Sequence, residues 1–197
     1  MPHGAPSCPA CGRLQPLEPV ADHFAALGLP RTFDLDPALL EARFHERSRR
    51  LHPDRFARAD PRERRYSLER ATRVNDAWRA LRDPRRRAAH LLLLLGCDPA
   101  AQARAGEEPA FLEVQLGWRE RLALARAAGD EVAARAVAGE ARGRLAALEG
   151  EVARLFAGGD PGAEAQGAIA RCLSRARYWE ALVEEAGTWP AAGEPGP

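Results

Sequence analysis

The sequence predicts an all-α protein built as a helical hairpin followed by an antiparallel three-helix bundle, and three observations carry that prediction. Alanine, leucine, arginine and glutamate dominate the 197 residues while threonine and isoleucine are scarce, a balance that favours helix. No segment alternates with period two, whereas apolar residues recur at helical spacing. Clusters of Pro, Gly and Asp divide the chain into helix-length pieces. With 46% hydrophobic and 29% charged residues, the composition is globular and the length suffices for one or two small cores.

Residues 1–18, rich in Pro and Gly, hold Cys8-Pro9-Ala10-Cys11 and read as a flexible arm. Two thiolates at this spacing can grip zinc, but a closed structural site needs four ligands and no second such pair follows. His3 and His23 would complete a site on paper only. Unliganded thiols, a zinc site and a redox pair all stay open for Cys8 and Cys11, and no cofactor is required. Cys97 and Cys172 are too scattered for a disulfide scaffold. The N-terminus has no secretory or organellar pattern, and the apolar run from Ala88 to Gly96 is far short of the roughly 20 residues that span a bilayer. A cytoplasmic protein is the expectation.

His23 to Pro30 predicts a short helix closed by Gly28. The next helix opens with Asp36 as N-cap and Pro37 in its first turn. Its inner stripe is Leu40, Phe44 and Leu51. Opposite, Arg43, Arg47 and Arg50 form a basic ridge at i, i+4 and i+7, which is either a solvated face or a guide toward the loop that follows. In that loop Pro53 fixes its own φ and pushes His52 out of helical space, so the imidazole and the Asp54 carboxylate are presented at a set spacing. A third helix starts near Pro61 after Asp60, with Ala71, Val74, Trp78 and Leu81 facing inward, and completes the hairpin.

After Asp83-Pro84 the arginines 85–87 and the leucine run predict a buried connecting helix that docks the first module onto the next. Residues 100–108 read as a loop. Three helical segments follow, at 109–128, 131–157 and 162–186, and their short connections imply an antiparallel bundle. Its predicted seam includes Phe111, Val114, Trp118, Leu122 and Ala125, with Leu145, Leu148, Val152, Leu155 and Phe156, and Ile169, Leu173, Ala176 and Val183. Leu112 and Leu116 form a second apolar stripe on the first of these helices. A helix commonly buries one stripe, so these leucines are either an exposed patch or the mark of a helix covered on two sides. Residues 188–197 read as a disordered tail.

The formal net charge of +1 hides a division. Residues 31–90 carry 17 Arg against 10 acids, about +7, and residues 91–197 carry 11 Arg against 16 acids, about −5. The arginines of the hairpin alternate with acids and lack stacking aromatics, which argues against nucleic-acid binding, the weakest of the alternatives. No nucleophile or pair of carboxylates stands out, so an enzyme is not expected.

Three stretches, 23–30, 51–56 and 74–84, together resemble a J domain, the module that stimulates ATP hydrolysis by seventy-kilodalton heat-shock-class chaperones. Adding Arg87-Ala88-Ala89-His90-Leu91-Leu92 and the run from Pro109 to Leu116 with Arg119-Glu120, the chain resembles the HscB family of iron–sulfur cluster biogenesis over residues 20–186. The resemblance implies a non-enzymatic co-chaperone with a J domain at 19–84, a connecting helix and loop at 85–108, and a scaffold-binding bundle at 109–187. It implies that His52, Pro53 and Asp54, with the ridge Arg43, Arg47 and Arg50, engage an HscA/DnaK-type ATPase chaperone. An IscU-type scaffold protein would be held by Leu112, Leu116, Glu120 and Tyr178. Glu113 and Gly117 stand where relatives tend to have Met and Glu, and Gly117 weakens its helix by about 1 kcal/mol relative to Ala. Some relatives carry two Cys-x-x-Cys pairs at the N-terminus, of which this chain keeps one. A J-protein serving another client is the alternative.

Overall fold

In the computed structural model, the described residues are Leu14, 22–104 and 106–188, with the side chains of 102 and 103 left aside. Every regular element named among them is helical: α1 (His23–Leu27), α2 (Pro37–Leu51), a 3₁₀ turn (Pro53–Phe56), α3 (Pro61–Leu81), α4 (Pro84–Leu94), α5 (Pro99–Arg104), α6 (Pro109–Ala127), α7 (Glu131–Phe156) and α8 (Ala163–Gly187). The chain divides into two compact units, one ending at Leu95 and the other starting at Gly96.

In the first unit four helices start behind an aspartate. Asp22, Asp36, Asp60 and Asp83 each accept backbone N–H groups at the N-terminus of α1, α2, α3 and α4, satisfying donors that have no partner inside a helix. α2 and α3 form the antiparallel hairpin, and α1 and α4 pack on α3. Phe24, Leu27, Leu40, Leu51, Val74, Ala77, Leu81, Ala88 and Leu92 are buried. Phe44 stacks on Trp78 with centroids 4.7 Å apart. Arg87 Nη1 donates to the Leu81 carbonyl at 2.6 Å and its guanidinium lies over Phe33, closing the end of α3. Leu14 departs from the free-arm reading: it is 7% exposed, and its N–H donates to Glu63 Oε1 at 3.2 Å. The leucine run is buried at Leu91 and Leu92 but exposed at Leu93.

In the second unit α7 and α8 make a long antiparallel pair, and α6, parallel to α8, covers part of it. Phe111, Trp118, Leu122, Ala125, Ala134, Val137, Ala138, Ala141, Trp179, Leu182 and Ala186 form a core cluster, with Leu145, Leu148 and Val183 partly buried against it. Arg144 spans both indoles, 5.3 Å from the Trp118 and Trp179 rings. Two details differ from the sequence reading. Val114 is exposed rather than in the seam; in helical register it lies on the other side of Phe111 from Gln115, whose carbonyl Tyr178 of α8 bonds. Residues 99–104 are a helix rather than loop, and they pack on α8. At 1.5 Å per residue α8 is about 38 Å long and α6 only about 28 Å. Both α5 and α6 pack on α8.

Candidate partner-binding surfaces

The first surface is built where α2 ends. Leu51 is buried, and His52 leaves the helix at φ −59°, ψ 130°, as a residue before proline must. The turn that follows is closed by Arg55 N–H to His52 O at 3.0 Å and Ala57 N–H to Asp54 O at 3.3 Å. His52 Nδ1 accepts the Asp54 N–H at 3.3 Å. An accepting Nδ1 carries no proton, so its 3.4 Å approach to Asp54 Oδ2 is not an ion pair in that state. The Asp54 side chain is 90% exposed. Its carboxylate is offered to solvent. Behind the turn, fully buried Ser67 donates its hydroxyl to the Leu51 carbonyl at 2.9 Å.

The three arginines of the α2 ridge are not equivalent. Glu46 lies among them, 3.0 Å from Arg43 and 3.5 Å from Arg50, and its carboxyl is held below the usual range chiefly by the Arg43 hydrogen bond. Arg47 turns the other way and folds over Gly28, where a Cβ would stand 2.5 Å from its Nη2. Burial lowers the Arg47 pKa, and its Nε has no hydrogen-bond partner. Arg43 and Arg50 therefore carry the outward part of the ridge.

The second surface lies on α6. Leu112 is 50% and Leu116 60% exposed, and Glu120, also exposed, continues the same i, i+4 row. Tyr178 is half-buried. Its phenol donates to the Gln115 carbonyl at 2.8 Å, its ring meets Phe111 edge-on at 5.8 Å, and Arg119 lies over it at 5.7 Å. In helical register Gln115 and Arg119 separate the buried face from the Leu112–Leu116 row, so Tyr178 borders that row. Arg175 pins the start of α6 through Glu107 and Glu108 at 3.2 and 3.1 Å while covering Phe111.

Residues 107–187 match the family described as the HSCB C-terminal oligomerisation domain. A protein of Ralstonia nicotianae named co-chaperone protein HscB homolog is 42% identical over 151 residues, spanning 77% of this chain and 86% of that one. The chain belongs to the HscB co-chaperone family. Among solved structures, human co-chaperone protein HscB superposes with a TM-score of 0.80 at 26% identity, over 92% of this chain and 88% of that one. Chaperone HscB from Vibrio cholerae gives 0.66 at 32% identity, over 84% and 95%.

Sequence reading left out Glu46, which sits between ridge positions, and Ser67. Both had a signal. Glu46 is i+3 from Arg43, and Ser67 extends the inward stripe of Ala71 and Val74 back by one turn. Cys8 and Cys11 lie outside the described residues, as does the tail beyond Thr188. Among the described residues no three His, Cys, Asp or Glu side chains are grouped to hold a metal, and no helix is long and apolar enough to cross a membrane.

Proposed function

We propose that this chain is a co-chaperone of iron–sulfur cluster assembly that stimulates the ATPase of an HscA/DnaK-type chaperone and delivers an IscU-type scaffold protein to it. His52, Pro53 and Asp54 form the stimulating loop, and Arg43 and Arg50, with Arg47 behind them, favour approach to an acidic partner surface. Leu112, Leu116, Glu120 and Tyr178 form the scaffold-holding patch. The observation that carries the reading is the Asp54 carboxylate, 90% exposed on a turn braced from behind. A carboxylate held outward in this way is suited to a charge-assisted hydrogen bond with a basic group, worth roughly 1.5 to 3 kcal/mol.

Asp54→Asn keeps the size of the side chain and removes its charge. In single-turnover ATPase assays stimulation should collapse while the melting temperature stays that of the wild type. Full stimulation by the variant would refute the assignment of the loop.

A further inference from the structure

We infer that Ser67 is the positioning residue of the His52-Pro53-Asp54 loop, its buried hydroxyl holding the backbone from which the loop departs. The inference rests on reading that loop as the group that engages the chaperone.

The argument starts from one carbonyl. The last carbonyls of a helix lose their intrahelical donors. For Leu51 the helical partner would be the Arg55 N–H, but that N–H goes to His52 O at 3.0 Å to form the 3₁₀ turn. Pro53 has no N–H to give. Leu51 is buried, so its carbonyl needs a partner from the protein itself. Ser67 Oγ supplies it at 2.9 Å from across the hairpin, sixteen residues away. Hydroxyls inside helices commonly bond the carbonyl one turn back. Thr72 does so, donating to Leu68 O at 3.1 Å. Ser67 does not, and spends its hydrogen on the neighbouring arm.

The hydrogen bonds His52 O to Arg55, Asp54 O to Ala57 and His52 Nδ1 to Asp54 are internal to the turn. They set its shape without setting its direction relative to α3. The Ser67 bond fixes the residue immediately before His52 to α3. Without it the turn would keep only its packing on α3, and a smaller fraction of molecules would present Asp54 correctly. Apparent affinity falls by that fraction, while the fully bound complex is unaltered.

The test compares Ser67→Ala, Ser67→Val and Ser67→Thr in the full chain, titrated against the ATPase chaperone, with Asp54→Asn alongside. Val and Thr have the same shape, but only Thr keeps the hydroxyl. Ser67→Ala and Ser67→Val should raise the half-maximal concentration for stimulation about three- to tenfold with the plateau unchanged. Ser67→Thr should lie near the wild type. Amide exchange should quicken at Asp54 and Arg55 but not in α1. Should the buried site reject the larger residues, Ser67→Ala against wild type decides, with amide exchange as the second readout. A fall in melting temperature with an unchanged half-maximal concentration would overturn the inference and leave Ser67 a packing residue. If Asp54→Asn itself stimulates fully, the loop assignment has failed. If Asp54→Asn is inactive and Ser67→Ala behaves as wild type, only the role of Ser67 has failed.

Discussion

The backbone N–H of His23 donates to Nε2 of His90 at 3.1 Å, with the two rings 4.2 Å apart. An imidazole that accepts at Nε2 must be neutral. Burial, then the neighbouring His23, push the His90 pKa down to about 4, although Asp22 lies 3.8 Å away. The α1 end of the first unit is therefore sensitive to acid.

The sign follows from linkage. Unfolded histidine titrates near 6.5, so the unfolded chain takes up the proton first, and stability falls as pH drops from about 6.5 toward about 4. Asp22 does not compensate in that window. Burial acts to raise its pKa, but Arg31 and the N–H groups of Ala25 and Phe24 hold it below the usual carboxylate range. His90→Gln keeps an acceptor and removes the titration. Its melting temperature should depend less on pH between 7 and 4.5 than that of the wild type. A wild-type His90 ring resonance titrating near 6.5 would contradict the proposed burial effect.

Gly28 and Arg47 should prove coupled. Gly28 ends α1 at φ +69°, and an added Cβ would meet the Arg47 guanidinium. Gly28→Ala should cost about 1 to 2 kcal/mol from the left-handed backbone alone, with a further penalty that disappears in the Arg47→Ala background. Chemical denaturation of the two single variants and the double variant measures that difference. Neutralising Arg43 and Arg50 should instead slow association with the chaperone at low salt and leave stability almost unchanged.

Leu14 reverses one expectation about the N-terminal arm. The Pro- and Gly-rich residues 1–18 read as a flexible arm, yet Leu14 is buried and its N–H donates to Glu63 in the first turn of α3. Removing residues 1–18 should therefore lower the stability of the first unit, and Leu14→Ala alone by up to about 2 kcal/mol. Melts of both variants that overlay on the wild type would place Leu14 outside the cooperative unit.

Most of the fold was legible because its signals are local. The aspartate caps at 36, 60 and 83 and the Gly28 terminus can be read residue by residue. The parts that were missed depend on distant partners. α5 has a local start signal, Asp98 accepting the Ala100 N–H before Pro99, but it is only six residues long and its packing on α8 shows only in three dimensions. Leu14 is one residue meeting a helix 49 positions away. The alanines of the first half of α7, buried at 134, 138 and 141, escaped notice because small side chains give a faint periodic signal even where helices pack closely. At the candidate sites, the residues that present themselves to solvent were legible, and those that hold them in place, Ser67 and the Gln115 carbonyl, were not.

Substitutions at Leu112 and Leu116 should separate client binding from folding. Each is at least half exposed, and the opposite face of α6 is buried through Phe111, Trp118 and Leu122. Truncating a buried leucine costs about 2 to 5 kcal/mol, whereas an exposed one away from special features usually stays within about 0.5. Leu112→Ala with Leu116→Ala should thus leave the melting temperature within a few degrees of wild type. It should weaken binding of an IscU-type scaffold tenfold or more, since apolar anchors within polar surroundings supply much of the energy at such interfaces. Tyr178 should behave differently. Its phenol bonds the Gln115 carbonyl and its ring packs on Phe111, so Tyr178→Ala should lower stability as well as scaffold affinity, and Tyr178→Phe should lower stability by about 1 kcal/mol. Stimulation of the chaperone without client should remain intact in the paired leucine variant, because the loop at Asp54 belongs to the other unit. Unchanged scaffold affinity in that variant, measured by titration calorimetry, would remove the α6 row from the client surface.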